Sequence, residues 1–173
     1  MADNISSSTD INTYITSSYR CLLADEFIIM NKTSSCLLDP SSPFINFKSK
    51  LFQNIYDEVK RNRELVASAL KQKSSTIRLT INEIVTNTSL KKANINWKSK
   101  VAVLETLLAD NQLVLAKLDE TITDLTIYNE KEGVAVLAQV RESHRRICMR
   151  LRMLMTTVLN PRSASLDNNK DRD

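Results

Sequence analysis

The stretch WKSKVAVLETLLADNQLVLAKLDETITDLTIYN, residues 97–129, decides the fold class. Trp97, Val101, Leu104, Leu108, Asn111, Leu115, Leu118, Ile122, Leu125 and Asn129 follow one another at alternating spacings of four and three. Such a pattern lays an apolar stripe along one side of an α-helix, as a coiled-coil seam requires. A second stripe follows in Leu137, Val140, His144, Ile147, Leu151, Leu154 and Val158, displaced by one residue, with Gly133 between the two. Either the helix continues through Gly133, at about 1 kcal/mol for the glycine, or the chain folds back at 127–133, with Asn129 and Glu132 as a capping box. Charge favours the fold-back. Residues 101–132 hold seven acids and two bases, and residues 133–162 hold six arginines and one acid. An antiparallel hairpin sets these blocks side by side.

Upstream, an apolar pattern of period eleven starts at Pro43 and predicts a long basic helix over 43–92. Phe44, Ile55, Val66 and Ile77 form one row, Val59, Leu70 and Ile81 a second, and Leu51 and Ile84 a third. Lys48, Asn62, Lys73 and Thr88 interrupt the pattern. Ser74-Ser75-Thr76 is its weak point. Ser42 before Pro43 is a strong helix start. A first helix is expected over about 10–30, with Ile11, Ile15, Ser18, Leu22 and Ile29 on one face, followed by a linker through Asp39-Pro40-Ser41-Ser42-Pro43. The expected organisation is a disordered segment at 1–9, an N-terminal helix and linker at 10–42, the basic helix at 43–92, heptad helices at 93–159 and a disordered tail at 160–173. The turn before the heptads is placed at 92–96, capped by Asn94 or Asn96. The fold class is therefore all-α: an elongated coiled-coil or helical bundle of about four helices.

Composition narrows the chemistry. The chain of 173 residues has one glycine and three prolines, where average usage would give roughly 20 such residues. Phosphate-cradling loops, dinucleotide fingerprints and nucleophile elbows all need glycines close together and are excluded. Cys21, Cys36 and Cys148 are far apart and read as reduced thiols, with Cys36 accessible in the linker. No secretory signal or membrane-length apolar run is visible, so cytosol or nucleus is the expected compartment.

His144 is the only histidine. A metal site needs several ligands at helical spacing, so His144 reads as a polar seam residue that fixes register, as do Asn111 and Asn129. Asp57/Glu58 and Asp119/Glu120 read as solvated charges, because neighbours in sequence diverge around a helix. No catalytic, cofactor or metal residues emerge, and an enzyme is not expected. Residues 48–100 carry twelve bases against four acids. Lys60, Arg61, Lys71, Lys91, Lys92 and Lys98 could meet an acidic protein or, less favoured, nucleic acid; they lack interleaved aromatics to stack on bases.

Rods this thin would leave their stripes wet, and each uncovered Leu, Ile or Val forgoes about 1.5–3 kcal/mol. The expected partners are therefore other helical or coiled-coil subunits, met through the seam residues from Val101 to Leu154, with no membrane and no stable monomer. The organisation is similar in shape to small helical subunits of kinetochore linkers, vesicle tethers and transcription coactivators. That likeness implies a scaffolding subunit, and the basic block favours a chromosome-associated, nuclear setting over the other two.

Overall fold

The computed structural model describes residues 3–44, 49–74, 79–90, 95, 97 and 99–160, and the side chains of all of these except 3–10 and 49. They form five helices: α1 (Asp3–Leu38), α2 (Ser49–Lys73), α3 (Ile81–Asn87), α4 (Lys100–Ile127) and α5 (Lys131–Leu159). The predicted tail at 160–173 lies outside the described residues except for Asn160, the C-cap of α5.

Four long helices form a closed square. α1 packs on α2, α2 on α5, α5 on α4 and α4 on α1. Every adjacent pair runs antiparallel. Along α1, Tyr14 meets Asp124 and Lys32 meets Asp110, so α4 descends as α1 climbs. Lys73 at the end of α2 meets Glu130 at the start of α5, while Glu58 meets Arg146 and Arg150 further along. α2 therefore finishes at the end of the bundle where α4 also finishes. The chain between them must travel back along the whole bundle, about 42 Å for a helix of α4's length. α3 lies within that crossover and packs on α1.

The long basic helix predicted from Pro43 to residue 92 is thus two helices. α2 stops at Lys73, beside the serines marked as weak, and Thr80 caps α3 with a full capping box to Glu83. The eleven-residue pattern holds up to the break and only in part after it, where Ile84 is still buried. Phe44, Ile55, Val59, Val66 and Leu70 are buried, whereas Ile81 is 77 % exposed. Ile77 lies outside the described residues. α1 is longer than expected at both ends and absorbs most of the predicted linker. Asn31 to Ser35 are poor helix formers, but Thr33 donates to the Ile29 carbonyl and Cys36 is wholly buried, so packing overrides propensity. Cys36 is accordingly not accessible, and burial pushes its thiol up to about 12.

The chain does fold back between the heptad stripes. Asn129 takes φ of 58° and the Glu130 amide donates to the Leu125 carbonyl, closing the turn. The expected Asn129/Glu132 capping box is absent: Glu130 is the N-cap and makes no side-chain cap bond. Nor do the arginines of α5 chiefly face α4. Arg141 reaches Asp119, but Arg146 and Arg150 turn to α2. α4 is capped by Ser99, not by Asn94 or Asn96.

Gly133 sits in the first turn of α5. A Cβ built there would strike the Tyr19 hydroxyl and lie 3.0 Å from Leu125 Cδ1. Tyr19 is 1 % exposed, and burial pushes its hydroxyl up to about 12, so the ring has nowhere to move. Alanine would gain about 1 kcal/mol in helix propensity against an overpacking cost of roughly 1–3 kcal/mol. We expect Gly133→Ala to lower the melting temperature and Gly133→Ala with Tyr19→Phe to recover most of the loss. Equal melting of the two variants would refute this packing.

Candidate functional site: a polar core

Apolar residues fill most of the bundle, but a polar cluster crosses its middle. His144 on α5 is fully buried and uses both ring nitrogens. Nδ1 lies 2.7 Å from Asn111 Oδ1 on α4, and Nε2 lies 2.7 Å from Glu26 Oε1 on α1. α1 and α5 stand at opposite corners of the square, so the Glu26–His144 bond runs through the bundle axis. The Asn111 amide nitrogen donates to the Leu107 carbonyl, which can only accept. Its oxygen therefore faces His144, and Nδ1 must carry a proton. The remaining proton lies between Nε2 and Glu26, as imidazolium against carboxylate or imidazole against carboxylic acid. Either way the pair is neutral as a unit. Glu26 Oε2 is buried without a hydrogen-bond partner. On α2, Asn62 is 2 % exposed at the α2–α5 face, and its amide nitrogen is also without a partner.

Further charged side chains lie around this line, each held by hydrogen bonds or an ion pair. Lys32 donates to Asp110 at 2.7 Å, both largely buried. Burial raises the Asp110 carboxyl, and the Lys32 hydrogen bond and charge only partly offset it. Asp25 accepts from Thr88 Oγ1, the Ser89 amide and Ser89 Oγ, pinning the crossover to α1. Glu58 takes two bonds from Arg146 and one from Arg150. Burial would raise its carboxyl, but the Arg146 hydrogen bonds, the Arg150 charge and the neighbouring Ser143 hydroxyl outweigh it and hold it below the ordinary range.

The predicted seam residues take up places inside this chain. Leu104, Asn111, Leu118, Leu125, Leu137, Val140, His144, Ile147, Leu151 and Leu154 are buried, and Val101, Leu108, Leu115 and Ile122 partly so. Their cover is α1 and α2 of the same chain. Lys60, Arg61 and Lys71 are exposed on α2, whereas Lys91, Lys92 and Lys98 lie outside the described residues. Asp57, Asp119 and Glu120 are exposed as read, but Glu58 is not a solvated charge. Sequence reasoning missed Asp25, Glu26 and Glu58. One signal was available for the first two: Leu22-Leu23-Ala24-Asp25-Glu26-Phe27-Ile28-Ile29 sets adjacent acids inside an apolar run, and acids so placed are buried only with partners.

Four antiparallel helices with one long crossover between the second and third are the arrangement of ferritin-like bundles. Solved structures agree. Dps from Thermosynechococcus elongatus superposes with a TM-score of 0.78 at 9 % identity, over 86 % of this chain and 94 % of that one. A Dps protein from Vibrio cholerae O1, described as a member of a broad superfamily of ferritin-like diiron-carboxylate proteins, gives 0.75 at 11 % identity, over 85 % and 92 %. The fold is the ferritin-like four-helix bundle. No protein-family profile matches the sequence, and no curated protein is similar to it.

These likenesses overturn the scaffold reading. A kinetochore or chromosome-associated coiled-coil subunit, and its vesicle-tether and coactivator alternatives, rested on stripes left bare for other helical subunits. The bundle closes those stripes on themselves, and its structural neighbours are Dps proteins. The error was geometric. A single rod over 43–92 leaves its stripe bare, whereas the chain breaks near Ser74 and the break lets two hairpins cover each other. No helix among the described residues is long and apolar enough to cross a membrane.

A diiron centre in such a bundle takes a Glu from each of two helices and a Glu-x-x-His from each of the other two. This chain does not fit. Its one histidine has Arg141 three residues before it, and both ring nitrogens are already bonded. An amide, Asn111, lines the core on α4, and among the described residues no group of three or more His, Cys, Asp and Glu could hold a metal.

Proposed function

We propose that this chain is a non-catalytic binding protein built on the ferritin-like bundle, in which hydrogen-bonded side chains replace a metal-binding interior. The observation that carries this reading is the Glu26–His144–Asn111 line. Its imidazole has no lone pair to offer a metal while Nδ1–H serves Asn111 and Nε2 shares the proton with Glu26. One carboxylate, one committed imidazole and one amide are also a poor set for iron, which in these bundles is held mainly by carboxylates. Redox chemistry at a bound dimetal centre is then outside the repertoire of this interior, and the work of the protein falls to its surface clefts.

The test is anaerobic titration of the full chain with ferrous iron, followed by exposure to oxygen. We expect no stoichiometric binding and no oxidation faster than buffer alone. Two ferrous ions bound per chain, with binding abolished by Glu26→Gln, would overturn the reading.

A further inference from the structure

A cleft of about 510 Å³ opens between α2 and α5, with Glu58, Arg61, Asn62, Leu65, Ala138 and Arg146 in its lining. Its volume is within the range of small-molecule sites. We propose that this cleft binds a small organic anion, its oxyanion held between Arg61, Asn62 and Arg146 and its apolar part against Leu65 and Ala138. This rests on the binding-protein reading above and gives that reading a ligand class.

Three observations lead there. Asn62 lines the cleft, is 2 % exposed, and leaves its amide nitrogen without a partner. A buried amide left unsatisfied is costly, and native proteins leave few. An acceptor oxygen of a ligand brought within reach of that nitrogen would satisfy it. Arg61 is exposed at the rim and makes no ion pair with a described residue.

The acids of the cleft are meanwhile spent. Both Glu58 oxygens are taken by Arg146 and Arg150. Glu142 faces Arg145 at 3.9 Å. Arg146 uses only Nε and Nη2 on Glu58, and a guanidinium has five N–H donors, so donors remain for a second anion. The lining sets two arginines, Arg61 and Arg146, against two glutamates, Glu58 and Glu142, but Arg145 and Arg150 from outside it also neutralise those glutamates, which leaves arginine charge in excess around the cleft. Planar guanidinium donors suit carboxylate and phosphate alike. The Leu65 and Ala138 wall favours a ligand with an apolar body over a bare ion.

Calorimetric titration of the full chain with 3-phenylpropionate, inorganic phosphate and benzylamine at matched ionic strength tests this. We expect saturable binding of 3-phenylpropionate or phosphate, weakened about tenfold or more by Arg61→Gln and by Asn62→Leu. Tighter phosphate binding would identify the ligand as a phosphate ester, and tighter 3-phenylpropionate binding as a carboxylic acid. Asn62→Leu removes an unsatisfied donor and should melt no lower than the parent, which separates lost binding from lost folding. No saturable binding of either anion, binding indifferent to both substitutions, or preference for benzylamine would each overturn the proposal. Iron binding bears on the interior alone, so the two readings fail separately.

Discussion

Replacing His144 by leucine is expected to destabilise the protein by about 3–5 kcal/mol, the range for breaking a buried charge pair. Whole domains are stable by only about 5–15 kcal/mol, and at about 2–4 °C per kcal/mol for a chain of this size the variant should melt about 6–20 °C lower. The cause is Glu26. Its Oε2 is already without a partner, and losing Nε2 would strand Oε1 as well, at zero exposure in the bundle axis. Asn111 Oδ1 would be orphaned too. If that account holds, adding Glu26→Met to His144→Leu should restore part of the stability, because an apolar pair can replace a buried ionic one at little cost. Thermal and urea unfolding of the two single variants and the double variant decide it. Strictly additive losses would show that packing volume, and not the shared proton, is what matters at this position.

Asp110→Ala should be the next most damaging change, again about 3–5 kcal/mol, because it leaves the Lys32 ammonium inside the α1–α4 contact with its carboxylate gone. Lys32→Met with Asp110→Leu should be far milder than either single change. The pair also has a pH signature of defined sign. Burial raises the Asp110 carboxyl above its ordinary value of 3.8. The folded chain therefore binds this proton more readily than the unfolded chain. Asp110 favours the folded state most at low pH, and this contribution falls as pH rises through the window from 3.8 to the raised folded value. Glu58 has the opposite sign, since its folded carboxyl lies below 4.5 and its contribution is lost as pH falls. Asp110→Asn should remove the first slope and leave the second, which unfolding at a series of acidic pH values would show. An unchanged profile would mean that the Lys32 contact fully cancels the burial of Asp110.

Both predictions concern residues whose roles were unequally legible. His144 and Asn111 fall on heptad positions, so their direction could be read from spacing alone. Their mutual bond could not, because a stripe records which face is buried and not what covers it. Glu26 was harder. Its partner is 118 residues away on a diagonal helix, and no local period links the two. Glu58 looked like any charge on an amphipathic helix until Arg146 and Arg150 arrived from α5. Asn62 did stand out, as a polar interruption of an apolar row, and it now lines the cleft.

By itself the sequence determined an all-helical chain, the reversal near Gly133, a weak point at Ser74, and a composition too poor in glycine for phosphate loops. Those follow from φ/ψ preferences and side-chain periodicity, which act over a few residues. Only the tertiary structure decided that the stripes close on each other, that the crossover returns along α1, and that three helices bring a glutamate, an amide and an imidazole to one interior. Burying an apolar face is favourable against any suitable surface, so the hydrophobic term is blind to which segment provides it. The choice between another chain and this one was made by where α2 ends, which sets two hairpins side by side and leaves their apolar faces nothing else to cover.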